Sequence, residues 1–91
     1  MTILERVRTA LRLTTNRWDK GELVPIIEAG KLDLELSGVV NIKEDDPLIV
    51  RAIVLYAKAN FGNIEGAERF AEAYMSLKIH LAISSDYGGK P

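Results

Sequence analysis

Ninety-one residues with a formal charge of −1, 47% hydrophobic side chains and no cysteine describe one small domain that neither disulfides nor cysteine-ligated metal holds together. A chain this short buries only about 60–65% of its unfolded surface, so a partner subunit would supplement a thin core. The near-zero charge removes any bulk electrostatic reason to bind nucleic acid, and no charged-then-apolar opening segment with a small-residue cleavage site is seen, which predicts a cytoplasmic location at least during synthesis.

The first element is a short amphipathic helix over residues 2–13. Ile3, Leu4, Val7, Ala10 and Leu11 recur at helical spacing, Glu5, Arg6, Arg8 and Arg12 lie opposite, and Thr2 is a candidate cap. Thr14, Thr15 and Asn16 bond through their side chains to nearby backbone and break the helix. A second helix is expected from Glu22 to Ser37, closed by Gly38, with Leu23, Ile26, Ile27, Leu32, Leu34 and Leu36 as its apolar set. Pro25 would kink a regular helix begun at Asp19, which favours a start at Gly21 or Glu22. Gly30 within this helix costs about 1 kcal/mol relative to Ala, and implies either close approach of another backbone or simple tolerance.

Residues 38–46 form the longest connection, in which Val39, Val40 and Ile42 could pair as a short extended piece if a neighbour offered an edge. The central helix follows from Pro47 to Phe61, with Asp46 as its cap, Pro47 at its first position and Gly62 at its end. Its polar side chains before Asn60 are Arg51 and Lys58, on one narrow stripe, so it must be covered by other helices of its own chain or of a neighbour. The run is too short to span a bilayer. Ala67, Phe70, Ala71, Tyr74, Leu77 and Leu81 mark a fourth helix from about Glu65 to Ala82 or Ile83. Ile49, Ile53, Leu55, Tyr56, Phe70, Tyr74 and Leu77 are the expected core. The tail from Ser84 to Pro91 should be mobile unless something binds it. The fold class is therefore all-α, a single bundle of four helices with a long loop between the second and third and a flexible carboxyl-terminal tail.

Charge is unevenly placed. Residues 1–20 hold Arg6, Arg8, Arg12, Arg17 and Lys20 against Glu5 and Asp19, whereas residues 21–46 hold seven acids against Lys31 and Lys43. The cluster Glu44, Asp45, Asp46 is better explained by capping than by a cation site, because an EF-hand loop would continue with oxygen ligands where this chain turns to Leu-Ile-Val. His80 is the lone histidine and lacks nearby ligands for zinc. No phosphate-binding glycine loop or nucleophile elbow occurs, so neither catalysis nor a cofactor is indicated. Trp18, Tyr56, Phe61, Phe70 and Tyr74 sit at helix starts or on apolar faces and suit packing better than base stacking. A small helical DNA-binding regulator is the alternative, but the central helix is too apolar to read bases and the fourth presents Glu65, Glu68 and Glu72 outward.

Set side by side, Asp45-Asp46-Pro47-Leu48-Ile49-Val50-Arg51-Ala52-Ile53, Tyr56-Ala57-Lys58-Ala59-Asn60-Phe61-Gly62, Ala67-Glu68-Arg69-Phe70, Ala73-Tyr74, Ser76-Leu77-Lys78 and Ser84-Ser85-Asp86-Tyr87 resemble the head-tail connector family of long-tailed bacteriophages, often described as DNA-packaging proteins. Val7-Arg8-Thr9-Ala10-Leu11-Arg12, Trp18-Asp19, Glu22-Leu23, Ile26-Ile27-Glu28-Ala29 and Asp33-Leu34 follow the same order, so the resemblance spans about residues 3–87. Pro25 and Gly30 depart from it, standing where ordinary helix formers are expected.

The resemblance implies a non-catalytic adaptor domain over residues 1–87, with 88–91 a flexible tail. Its subunits would form a ring beneath the portal vertex, dodecameric to match the portal, and join the DNA-filled head to tail-completion proteins. DNA would pass through without sequence-specific binding, and the protein would reside at the virion head-tail junction after assembly in the host cytoplasm. Ile79, Ile83 and Tyr87 recur every four residues and are the expected portal contact, unless the isoleucines finish the chain's own core and the tail is disordered. Arg51 and Lys58 are further candidate portal or subunit contacts, and Glu44 and Asp45 candidates for a loop facing the channel.

Overall fold

The structure, a computed structural model, describes residues 1–88. Four α-helices follow one another: α1 Ile3–Ala10, α2 Val24–Leu36, α3 Pro47–Asn60 and α4 Ala67–Ile83. No strand occurs among the described residues, and the long loop expected between α2 and α3 is present. All of α1, α2 and α4 pack on α3, which buries Ile49, Ala52, Ile53, Val54, Leu55 and Ala57. A helix so apolar around its circumference can be stable only when covered on several sides, and here the chain's own helices supply that cover. Ile3 and Val7 from α1, Ile27 and Leu34 from α2, and Tyr74 and Leu81 from α4 complete the core with Leu23 and Val39. Of the expected core, Ile49, Ile53, Leu55 and Tyr74 are buried, while Tyr56, Phe70 and Leu77 pack half-buried around them.

The helix ends follow from local chemistry. Thr2 and Glu5 form a reciprocal capping box at the start of α1, with Thr2 N–H donating to Glu5 Oε1 at 2.8 Å and Glu5 N–H to Thr2 Oγ1 at 3.1 Å. This helix stops three residues earlier than its periodicity suggests. Arg12 takes a left-handed φ of 61°, and Leu13 N–H turns back to Arg8 O at 3.0 Å, which is a Schellman ending. Gly38, with φ of 101°, closes α2 in the same way. Val39 N–H then bonds Leu34 O at 3.0 Å, and the two side chains are buried together in the core. Within the single chain Val39, Val40 and Ile42 form no strand and the segment is a loop. Asp46 caps α3, accepting from Leu48 N–H at 2.9 Å and Ile49 N–H at 3.3 Å, as its place before Pro47 predicts.

The entry to α2 differs from expectation. Helical winding begins at Asp19, not at Gly21 or Glu22, and its first stretch, Asp19–Leu23, is a π-helical turn. Leu23 N–H donates to Trp18 O at 3.0 Å and Val24 N–H to Asp19 O, each five residues back. The wider turn brings the chain into α2 with Pro25 in its first turn, where a missing donor costs little. The Arg8 guanidinium ties α1 to this turn through Asp19, with contacts of 2.6 and 3.2 Å. Leu32 and Leu36, assigned above to the apolar face of α2, are instead exposed. The buried face runs through Leu23, Ile27, Gly30 and Leu34, and at 3.6 residues per turn Leu32 and Leu36 lie outside that arc.

After Ile83 the chain turns back on itself. Gly88 N–H donates to Ser84 O at 2.7 Å, and Val40 N–H donates to Tyr87 O at 2.6 Å. The Tyr87 hydroxyl donates to the Asp46 carboxylate, lying 2.9 and 3.1 Å from its two oxygens. A Cβ on Gly88 would lie 2.2 Å from Ala82 O, so only glycine fits at this close approach. Residues 84–88 are thus bound by the chain's own α2–α3 loop, and the remainder of the expected tail, 89–91, lies outside the described residues.

Candidate interaction surfaces

The fourth helix carries an outward stripe of Met75, Ile79 and Ile83, spaced four apart and therefore on one face. Ile79 is 54% and Ile83 73% exposed, so neither finishes the core. Tyr87 does not extend this stripe, because the helix ends at Ile83 and the phenol turns toward Asp46. Its hydrogen bond to that carboxylate, followed by loss of hydration, raises the Tyr87 pKa above its ordinary value. Desolvation alone would raise Asp46, but the Tyr87 hydroxyl and the Ile49 and Leu48 amides more than offset it and hold the carboxyl below its usual range.

Beside the stripe, α2 and α4 are joined by a polar cluster that sequence periodicity did not reveal. Asp33 accepts from the Tyr74 hydroxyl and from Lys78 Nζ, the latter at 2.9 Å. Burial pushes Asp33 up, yet the Tyr74 and Lys78 bonds together bring it below the ordinary carboxylate value. Burial first, and then Asp33, push the Tyr74 phenol strongly up. The Tyr74 ring also meets Tyr56 edge-on at 5.1 Å between centroids, so the buried Tyr74 ties α4 to both α2 and α3.

A second surface lies between α1 and α3. An open cleft of about 330 Å³ is floored by Ala10, Pro47, Val50 and Val54 and edged by Arg6 and Arg51. Both arginines are exposed, and neither belongs to an ion pair among the described residues. Lys58, the other cation expected on the α3 stripe, instead sits half-buried over the Phe70 ring, 4.9 Å from its centroid.

The third surface is the outer side of α2, where Leu32 is 55% and Leu36 80% exposed beside the stripe of exposed Glu28 and Glu35. Lys31 is turned toward Glu44 and lies 3.6 Å from Glu28. Glu44 is thereby engaged within the chain, while Asp45 is exposed. Trp18, expected to pack, keeps an exposed face and meets Phe61 edge-on at 6.2 Å between centroids, with Arg17 over its ring.

Among the described residues no cluster of His, Cys, Asp or Glu is arranged to hold a metal ion, and no helix is long and apolar enough to cross a membrane. Fold and surfaces together define a small all-α domain whose outer faces offer apolar side chains beside unpaired charge, the chemistry of protein–protein contact. A family model described as phage connector protein matches residues 3–88, and the chain belongs to that bacteriophage head-tail connector family, whose members assemble with other phage head and tail proteins. No curated protein and no solved structure matches the chain.

Proposed function

We propose that this connector forms a ring beneath the portal vertex and joins the DNA-filled head to tail-completion proteins, in a structural role without catalysis. Twelve copies would match the portal. The observation that carries this reading is the unpartnered α4 stripe of Met75, Ile79 and Ile83 on a chain of the connector family. The stripe and the adjoining turn that holds Tyr87 are the proposed portal contact. Exposed apolar side chains at helical spacing call for a partner surface, and the Asp33 cluster keeps α4 rigid beneath them.

A standard interface takes about 800 Å² from each partner. Two neighbour contacts would therefore occupy about a quarter of the 5943 Å² surface of one subunit. Heterologous contacts of this kind close into rings and need not be strong before a template gathers the subunits. In the ring, the loop bearing Glu44 and Asp45 would face the channel, where acids repel phosphate and let DNA pass without sticking. Since Lys31 engages Glu44, Asp45 would carry most of that effect.

Electron microscopy of particles purified with the portal tests the reading. Ring density at the head-tail junction is expected, and particles complete without it would refute it. Replacing Ile79 and Ile83 by Lys, a good helix former whose charge suits the carboxyl end of a helix, should change folding stability by no more than about 0.5 kcal/mol each, as exposed sites, while abolishing incorporation. Sequence-selective, salt-sensitive binding to duplex DNA would favour the regulator instead.

A further inference from the structure

We infer that successive copies of this chain meet head to tail, with Leu36 of one copy seated in the α1–α3 cleft of the next, Glu35 facing Arg51 and Glu28 facing Arg6. This rests on the ring reading above and specifies its subunit contact. The cleft has an apolar floor and two arginines free of ion pairs among the described residues. The outer side of α2 has the complementary pair of properties, two exposed leucines beside exposed glutamates. A shallow depression lined by Glu28, Lys31, Leu32 and Glu35 gives an incoming guanidinium a seat between two carboxylates. Lys31 is drawn chiefly toward Glu44 and lies 3.6 Å from Glu28, so Glu35, outside any ion pair among the described residues, carries the main charge contact and Glu28 a weaker one.

Charge decides which surfaces can meet. A two-fold contact of the cleft with itself would bring four guanidiniums together, and a two-fold contact of the α2 faces would do the same with carboxylates. Like charges in contact oppose binding, whereas joining the unlike surfaces pairs them. The two patches are also placed for a head-to-tail chain. Ile53 and Tyr56 of α3 meet α2 at Gly30, while Pro47, Val50, Arg51 and Val54 face the cleft. At 3.6 residues per turn these directions around α3 are about 140° apart. Nearly opposed patches propagate from copy to copy and close only after many subunits, as a large ring requires.

The absence of native cysteine makes cross-linking a clean test. Thr9 at the cleft and Leu36 would be replaced in one chain, Thr9→Cys with Leu36→Cys, and oxidised both in concentrated solution and in assembled particles. A ladder of disulfide-linked multimers in either setting is expected, with the single variants yielding at most dimers. Adding Arg51→Glu should reduce the ladder at least about fivefold, and adding Glu35→Arg to that chain should restore at least about half of it by re-pairing the charges. Circular dichroism on each variant checks that the helices persist. No ladder in either setting, or a ladder indifferent to Arg51→Glu, overturns the contact. A ring in particles without cross-links would refute this contact and leave the ring reading standing. Cross-links in solution with no ring in particles would do the reverse.

Discussion

Gly30→Ala tests how tightly the Tyr56 and Ile53 side chains of α3 pack on Gly30 of α2. In an exposed helix the substitution would stabilise by about 1 kcal/mol. Here the new Cβ would lie 3.1 Å from Tyr56 Cδ2 and 3.2 Å from Ile53 Cδ1, inside ordinary van der Waals contact, and overpacking a filled core costs about 1–3 kcal/mol. Tyr56 can yield only slightly, since its ring is set against Tyr74, and Ile53 is fully buried on the central helix. Steric cost should exceed propensity, leaving a net loss of about 1 kcal/mol. Ile53→Val removes the Cδ1 atom in contact, so the two substitutions should be coupled by about 0.5–1 kcal/mol, with the double variant more stable than the sum of the singles predicts. Urea unfolding followed by far-ultraviolet circular dichroism on the four proteins of this cycle gives both numbers. A Gly30→Ala chain stabilised by the full propensity gain, with no coupling to Ile53, would refute the close approach.

Ile53→Ala should cost about 2–5 kcal/mol as a buried large-to-small change, and urea unfolding that shows a negligible loss would mean the residue is not central. Tyr87→Phe removes the hydrogen bond to Asp46 and should cost about 0.5–1.5 kcal/mol, with faster amide exchange at Val40; unchanged exchange there would show that the turn over residues 84–88 is not held by it. Asp33 and Asp46 both have carboxyl pKa values lowered on folding, so each contributes stability that is present above the unfolded value, about 3.9, and is lost as pH falls below it. An acid titration of stability should therefore steepen below about pH 4, and Asp33→Asn should flatten that fall.

The helices were legible because their signals are local. Asp46 followed by Pro47, Thr2 followed by Glu5, and Gly38 after Leu36 each place a terminus through chemistry within a few residues. The start of α2 was not, because Pro25 forbids regular winding from Asp19 without saying that a π turn can carry the same winding past it. Leu32 and Leu36 were misplaced for a different reason. Six apolar residues in a sixteen-residue window exceed one face, and only Gly30, read as part of the buried arc, distinguishes the inner leucines from the outer ones. The bonds of Asp33 to Tyr74 and of Asp46 to Tyr87 each span 41 residues and depend on how helices are set against one another, which no spacing rule reports.

The same distinction bears on where this domain can make contacts. An over-apolar central helix suggests at first that neighbouring subunits must cover it. In the structure α1, α2 and α4 perform that task, and the apolar part of α3 left open lies near its start, at Pro47 and Leu48, and at half-buried Val50 on the floor of the arginine-edged cleft. The cost of self-coverage appears one layer further out, since α2 and α4 are apolar on both sides and leave Leu32, Leu36, Met75, Ile79 and Ile83 in water. These five side chains add little to the stability of an isolated subunit, so their effect should appear in assembly and not in folding. A chain with a complete but small core can then exist as a folded subunit, while α2 and α4 offer two different faces to two different partners. On the reading proposed above, the apolar face beside the glutamates would take a copy of this chain, and the other, beside the carboxyl-terminal turn, the portal.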